Sequence, residues 1–388
     1  MGGSHNLVVQ TQVARWGAVG AYGAVAAANQ LLWLTYAPVT TDAARHYGVS
    51  EEAIGWLSQV FPLLYVVLAI PAGVALDRRF RPTLLTGAWL TALGGAVRLG
   101  ADTYAAALAG QLLVAVAQPL ILNAITKVVA TSLPPLARPR GISLGTAGIF
   151  AGTALALPLG PALASADSFA TLLIVDLAIA VLAAVALTLA LRGPRDSGPE
   201  VAVVREQLRA VWNDRLIRRV CGVAFLGFGV FVALTTWLQA LLEPAGVSDT
   251  EAGWLLAVMV VAGVAGAALL GAPVARRGAE LRFLRLAALV AAAGCLLLAV
   301  APGVVWLAIA PMGVMLLASL PVILELTDRR AGVAGGSATA LVWMAGNAGG
   351  IVVALAVQTA VDTPAAGFGL MAAAALLVLP LTRRTRSA

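Results

Sequence analysis

Twelve stretches of mainly apolar residues follow one another along this chain, at approximately 14 to 38, 53 to 76, 83 to 101, 104 to 132, 141 to 165, 168 to 192, 217 to 243, 251 to 274, 283 to 301, 303 to 327, 332 to 360 and 362 to 382. Each has roughly the 20 residues that a helix needs to cross the hydrocarbon core of a bilayer. In that medium a helix satisfies its backbone amides from within. Only 11% of the 388 residues are charged, against about 25% in a soluble domain. The expected fold is an all-α membrane protein.

The segments divide six and six, because the chain repeats itself at an offset of 198 residues. Gly48-Val49-Ser50 and Gly55-Trp56-Leu57 recur as Gly246-Val247-Ser248 and Gly253-Trp254-Leu255, and the same offset carries Gly73 onto Gly271 and Arg78-Arg79 onto Arg276-Arg277. Tandem halves of this kind suit a carrier that rocks one half against the other around a site between them. The turn-rich stretch from Gly193 to Pro199 marks the boundary. It separates an N-terminal half over 1 to 192 from a linker over 193 to 216 and a C-terminal half over 217 to 388. In the linker Val204, Leu208, Val211 and Trp212 recur at helical spacing among Arg205, Glu206, Arg209 and Arg215, which predicts a helix lying on the membrane surface.

Charge is distributed by side. Arg15, Arg78, Arg79, Arg81, Arg138, Arg140, the run from Arg192 to Arg219, Arg276, Arg277, Arg282, Arg285, Arg329, Arg330, Arg383, Arg384 and Arg386 fall on one face, with Arg45 and Arg98 assigned to the other. Basic residues collect in cytoplasmic loops, so both termini and the linker are expected in the cytoplasm of a cell-membrane protein. The net charge of +7 then reflects topology, not nucleic-acid binding. The first apolar stretch is long, carries Asn29 and Gln30 and lacks a small-residue cleavage site, so it reads as a retained span and not a signal peptide. Cys221 and Cys295 lie within spans, and His5 and His46 are the only histidines. Neither a disulfide framework nor a metal centre is expected, and no cofactor. The expected partners are a small solute and the lipid bilayer, with the chain a monomer.

The turn after the second span reads Gly73-x-x-x-Asp77-Arg78-Arg79-Phe80-Arg81. It is similar to the loop signature of the major facilitator superfamily, with Phe80 in place of a glycine. Asp77 can pair with Arg78, Arg81 or a helix N-terminus as a latch on the inner side. The second copy has Ala275 where the acid would stand, which predicts a one-sided latch. Two acids fall inside spans, where an ionisable group is costly and suggests function. Pro321-Val322-Ile323-Leu324-Glu325 echoes Pro119-Leu120-Ile121-Leu122-Asn123. Glu325, with Asp328, Arg329 and Lys127, reads either as an inner gate cluster or as a structural ion pair. Asp176 reads as a packing or interfacial residue.

Arg15-Trp16, then Asn29-Gln30-Leu31-Leu32-Trp33, Tyr47-Gly48-Val49-Ser50, Ile54-Gly55-Trp56-Leu57-Ser58, Ala117-Gln118 and Lys127 together resemble the feline leukaemia virus subgroup C receptor-related (FLVCR) family, a branch of the same superfamily associated with choline, ethanolamine and haem transport. The resemblance implies a solute site in which Trp33 supplies an aromatic face, Gln118 an amide, and Asn347 a second amide in span 11. The tyrosine implied in span 7 falls on Val232, with Phe231 and Trp237 beside it and Trp343 able to supply another face. By analogy with the superfamily, spans 1, 4, 7 and 10 line the cavity, which adds Asn29, Gln30 and Asn123. An indole face attracts a desolvated cation by about 2 kcal/mol, although Trp33 is equally readable as packing. Trp56 and Trp254 suit the interfacial belt.

The reading that follows is a twelve-helix carrier of two six-helix halves, moving a small organic solute, with choline or a related amine as the candidate. A proton-coupled exporter of drugs or amphipathic compounds is the alternative, and a receptor without transport the third class. No nucleophile, base and acid are placed as an enzyme requires. The arginine distribution makes the topology testable: a reporter fused after Ala388 is expected to read cytoplasmic, and an external reading would overturn the inside assignment.

Overall fold

The computed structural model describes residues 15–164, 168–192, 204–331 and 334–383; the expected boundary at 193–199 lies outside them. The first half runs α1 Trp16–Trp33, α2 Thr40–Tyr47, α3 Glu51–Arg78, α4 Phe80–Gly100, α5 Tyr104–Leu122, α6 Ile125–Ser132, α7 Arg138–Leu163 and α8 Ala170–Ala190. The helix expected in the linker is α9, Val204–Asn213. The second half runs α10 Arg215–Leu242, α11 Asp249–Arg276, α12 Glu280–Val300, α13 Val305–Ala331, α14 Gly335–Gln358, α15 Pro364–Leu376 and α16 Val378–Leu381.

The twelve expected spans all find helices, two of them broken. Span 4 divides into α5 and α6 at Asn123, and the last span divides into α15 and α16. Ten of the spans are long and apolar enough to cross a bilayer by composition alone. The other two are α1 and α4. More than half of α1 is buried against its neighbours, Asn29 and Gln30 included, and α4 carries Arg81 and Arg98. A helix shielded by protein has less need of an apolar surface.

The repeated Gly-Val-Ser is a turn made twice. Gly48 ends α2 at φ 64° and Gly246 sits at φ 84°, a left-handed conformation that glycine adopts without a Cβ penalty. Ser50 and Ser248 then cap α3 and α11, each hydroxyl accepting from a backbone N–H at 3.2 Å. Trp56 and Trp254 follow, exposed as a membrane-interface belt requires.

Within the first half α1 packs on α7 and α8, and α4 on α5 and α8; within the second α10 packs on α14, and α11 and α12 on α13. The halves meet chiefly through two crossed pairs, α3 with α14 and α7 with α11. The arginines gather at one end: Arg15 of α1 donates to Ala190 O at the end of α8, and Arg219 to Arg383 O.

Arg45, beside Asp42 on α2, and Arg98 are exceptions, and Arg98 is not a charge on the opposite face. It is 1% exposed and pairs with Asp176 of α8, Nη2 to Oδ2 at 3.2 Å. Nη1 donates to Thr35 Oγ1 at 3.0 Å, and to Leu32 O and Gln111 Oε1 at 3.3 Å. Thr35 donates to Asp176 at 2.5 Å, and Gln111 Nε2 donates to Trp33 O and Leu57 O at 3.2 Å. The network thus satisfies carbonyls that the end of α1 leaves free, binding α1, α3, α4, α5 and α8 into one body.

Asp176→Asn leaves Arg98 buried without its counter-charge, and is expected to destabilise the detergent-purified protein by about 3 to 5 kcal/mol. The double change Arg98→Met with Asp176→Leu is expected to cost less than either single change. Thermal unfolding of Asp176→Asn, the two single changes and the double variant checks this.

Candidate functional site: the junction between the halves

At the arginine-rich end the two halves are joined by one carboxylate. Asp77, in the last turn of α3, reaches across to the first turn of α14. Oδ1 accepts from Gly336 N at 3.0 Å, and Oδ2 from Ser337 N at 2.9 Å and Ser337 Oγ at 2.5 Å. Lys127 of α6 completes the shell, Nζ to Oδ1 at 2.7 Å. The positive end of a helix dipole and an ammonium therefore meet one acid that is 2% exposed. The approach depends on glycine: a Cβ at Gly336 would lie 2.7 Å from Asp77 Oδ1, and one at Gly73 only 2.8 Å from Gly336 O. Thr126 and Thr339 add a hydroxyl contact at 3.1 Å beside it.

The cation differs from the expected one. Arg78 is exposed, and Lys127 takes the place foreseen for it; Arg81 is half-buried at the start of α4. Lys127 accordingly does not join Glu325. Glu325 pairs on its own helix with Arg329, Oε1 to Nε at 3.6 Å, and Arg329 bonds Glu280 at the start of α12. This second cluster lies within the C-terminal half. Its link to the other half is Arg138 at the start of α7, which lies within electrostatic reach of Glu325 and Asp328.

Nearer the middle of the bundle lies an aromatic layer. Tyr65 of α3 faces Trp343 of α14 at 6.1 Å between ring centroids, and Phe150 of α7 faces Phe231 of α10 at 6.4 Å. Phe228 touches both Phe231 and Trp343, at 5.7 and 6.1 Å. Phe150, Phe228, Phe231 and Trp343 wall a cavity of about 50 Å3, room for a water or two and not yet for an organic solute. Trp343 Nε1 is buried there without a partner among the described residues, as is Tyr22 Oη on α1, while Tyr65 Oη donates to Asn123 Oδ1 at 2.7 Å.

The residues expected to bind solute divide into two groups. Gln118 Nε2 donates to Gln30 Oε1 at 2.6 Å, joining α5 to α1. Trp33 stands one turn beyond Gln30, half-buried, its indole N–H on Ser58 O at 2.9 Å and its ring 5.8 Å from Phe61. In the other half Phe231 and Trp343 share the aromatic layer, and Asn347 donates to Trp343 O at 2.9 Å. Asn29 is committed elsewhere: Nδ2 donates to Thr91 Oγ1 and Val114 O, both at 3.1 Å, wholly inside the first half. Trp237 donates to Ala354 O at 2.9 Å and serves the packing of α10 on α14. Sequence reasoning missed Tyr22, Tyr65 and Phe228, since one aromatic among many apolar residues gives no signal of its own. Arg98 with Asp176 did carry one, because an intramembrane acid demands a partner.

A bundle of this form, two helical halves in contact along crossed helix pairs, is that of a multi-pass membrane protein. The model of the Major Facilitator Superfamily matches residues 21–354, and the chain belongs to that family. It is similar to solute carrier family 49 member A3 of Danio rerio, 31% identical over 274 residues, covering 66% of this chain and 58% of the relative. It also resembles the choline/ethanolamine transporter FLVCR2 of Homo sapiens, 32% identical over 120 residues, covering 30% of this chain and 23% of that one. The chain thus spans well under two thirds of these relatives. Among solved structures, the human organic anion transporter MFSD10 superposes with a TM-score of 0.80 at 18% identity, covering 95% of this chain and 99% of that one. FucP in the outward conformation superposes with 0.75 at 18%, covering 93% and 98%. Both show the fold.

Asp77→Asn keeps the shape of the junction and removes the charge that α14 and Lys127 hold. With Cys221 and Cys295 replaced by Ser and a reporter cysteine at the buried position Thr339, thiol labelling is expected to quicken by roughly 5- to 30-fold, for an interaction of about 1 to 2 kcal/mol. Unchanged labelling would reduce the motif to a topology signal.

Proposed function

We propose that this chain carries a small organic cation, choline or a related amine, across the cell membrane by alternating access. Both termini and the linker would face the cytoplasm, with the two halves over 1–192 and 217–388 acting as rigid bodies and the protein working as a monomer. The observation that carries the reading is the Gln30–Gln118 amide pair one turn below the Trp33 and Phe61 rings. An aromatic face stabilises an ammonium that amides cannot neutralise, and an amide pair can exchange its mutual bond for a solute hydroxyl. The choline/ethanolamine transporters among the relatives supply the same chemical class. Across the junction, Trp343 and Phe231 offer further rings, and Trp343 Nε1 an uncommitted donor.

In this reading Asp77, Lys127 and the start of α14 close the cytoplasmic end, with the Arg138, Asp328, Glu325 and Arg329 charges beside them. Breaking that contact opens the inner path. The acid of α8 is already neutralised by Arg98, and α1 has no acid, so the carrier requires no proton to complete its cycle. Flux into liposomes is then expected to persist without a pH gradient. A proton gradient driving accumulation, lost in Glu325→Gln, would favour the drug-exporter alternative.

Trp33→Leu is expected to weaken amine binding by about 1 to 2 kcal/mol, roughly 5- to 30-fold in Kd, and Trp33→Phe by much less. Gln118→Ala is expected to cost about 1 kcal/mol. Titration of purified protein with choline and ethanolamine checks both, and equal binding by wild type and Trp33→Leu would overturn the amine assignment.

A further inference from the structure

The fold provides twice for the contact that closes the arginine-rich end, yet the chain builds its carboxylate only once. Gly73 of α3 approaches Ala340 of α14, and its mate Gly271 of α11 approaches Ser143 of α7. An offset of 197 carries Ser143 onto Ala340, and likewise Pro139 and Arg140 onto Gly336 and Ser337. The two crossed helix pairs are therefore mirror contacts at this glycine. Asp77, however, has Ala275 for a mate, and Pro139 has no N–H to offer in place of the Gly336 donor. Positive charge stands on this side instead: Arg140 from one half and Arg276 from the other, both exposed.

Between them runs a groove of about 270 Å3 lined by Trp16, Leu136, Pro139, Arg140, Ala272 and Arg276, with no acidic residue in its walls. The Arg140 guanidinium lies 6.0 Å over the Trp16 ring, which fixes its direction. Neither arginine is within ion-pair distance of a carboxylate among the described residues. Leu136 is 95% exposed at the mouth of the groove. Two unneutralised guanidinium groups next to bare apolar surface, at the end of a membrane bundle, have the chemistry of an anionic lipid site.

We propose that an anionic phospholipid of the adjoining leaflet occupies this groove, its phosphate between Arg140 and Arg276 and an acyl chain along Leu136 and Trp16, supplying at this contact the negative charge that Asp77 supplies at its mirror. Guanidinium forks match phosphate oxygens, and the two forks belong to different halves. Parting the halves at this end divides the site, so bound lipid holds this end closed; a ligand shifts an equilibrium by its differential affinity for the two states. The closed junction then depends on one carboxylate within the chain and one charge taken from the membrane.

The test uses the full-length protein in detergent, with native mass spectrometry and thermal unfolding, against phosphatidylglycerol, phosphatidylcholine and inorganic phosphate. Phosphatidylglycerol is expected to remain bound and raise the unfolding temperature, with phosphatidylcholine and inorganic phosphate giving little shift. Arg140→Gln with Arg276→Gln is expected to lower phosphatidylglycerol retention at least tenfold, while the charge-matched control Arg79→Gln with Arg277→Gln retains it. Ala275→Asp restores the missing acid and is expected to remove the lipid dependence while leaving the unfolding temperature at or above that of the lipid-free wild type. Equal stabilisation by both lipids, stabilisation by inorganic phosphate alone, equal loss in the control pair, or an unaltered lipid response in Ala275→Asp would each overturn the proposal. The last arm reads the idea even if the double arginine variant fails to fold.

Discussion

A polar group placed inside a lipid-bathed bundle has no water to fall back on, so its partner must come from the protein itself. Four polar contacts that organise this bundle answer that constraint. Arg98 finds Asp176 and the last carbonyls of α1; Gln118 finds Gln30; Asn123, at the break between α5 and α6, finds Tyr65 and Ala69 O. Asp77 finds the open end of α14. What separates these pairs is which elements they join. The first three join helices of one half and stiffen it, and the fourth joins the halves. Under the proposed rocking motion the first three would be preserved, while the Asp77 contact and the neighbouring Thr126–Thr339 pair would have to break.

Internal duplication explains the scaffold, and the departures from it explain the asymmetry. Ser50 and Ser248 cap equivalent helices after equivalent left-handed glycines, features that a fold needs twice. The charges were free to diverge. The stretch that places Asn123 and Lys127 in one half places Glu325 and Arg329 in the other. Lys127 turns to Asp77 across the short α6. Arg329, with Ala275 in place of that acid, turns to Glu280 and Glu325 within its own half. The missing acid at the end of α11 and the added acids Glu325 and Glu280 together go with the direction in which Arg329 sends its charge.

Much of the fold was legible in the sequence because span length, repeat and arginine distribution are one-dimensional signals. The twelve spans, the helix beyond the boundary and the acid at the end of α3 could all be read from spacing. Partners could not. Asn29 and Gln30 are adjacent on α1, and a 100° turn sends one to Thr91 inside its half and the other to Gln118. Arg98 sits at the end of its span, where a charge reads as exposed; only the packing of α4 on α8 reveals that it is buried. The partner of Asp77 was half-visible, since a helix N-terminus was foreseen but Lys127 lies 50 residues away in the sequence, beyond any spacing rule.

On the proposed function, the division of the candidate solute residues between the halves bears on how binding and motion would be coupled. Trp33, Gln30 and Gln118 ride on α1 and α5, whereas Phe231, Trp343 and Asn347 ride on α10 and α14. Each group is held by bonds internal to its own half, so neither is rebuilt when the halves move. A solute that touches only one group is carried along without influence on the equilibrium, because its contacts are the same in both states. A solute that spans both groups feels their separation change and so favours one arrangement. The aromatic layer at Tyr65, Trp343, Phe150 and Phe231, where the halves already meet in the middle of the bundle, is where such a bridging solute would compete directly with ring contacts. Its small cavity means that bridging requires the layer to part, and that parting is the step at which solute binding and the Asp77 contact draw on the same interface.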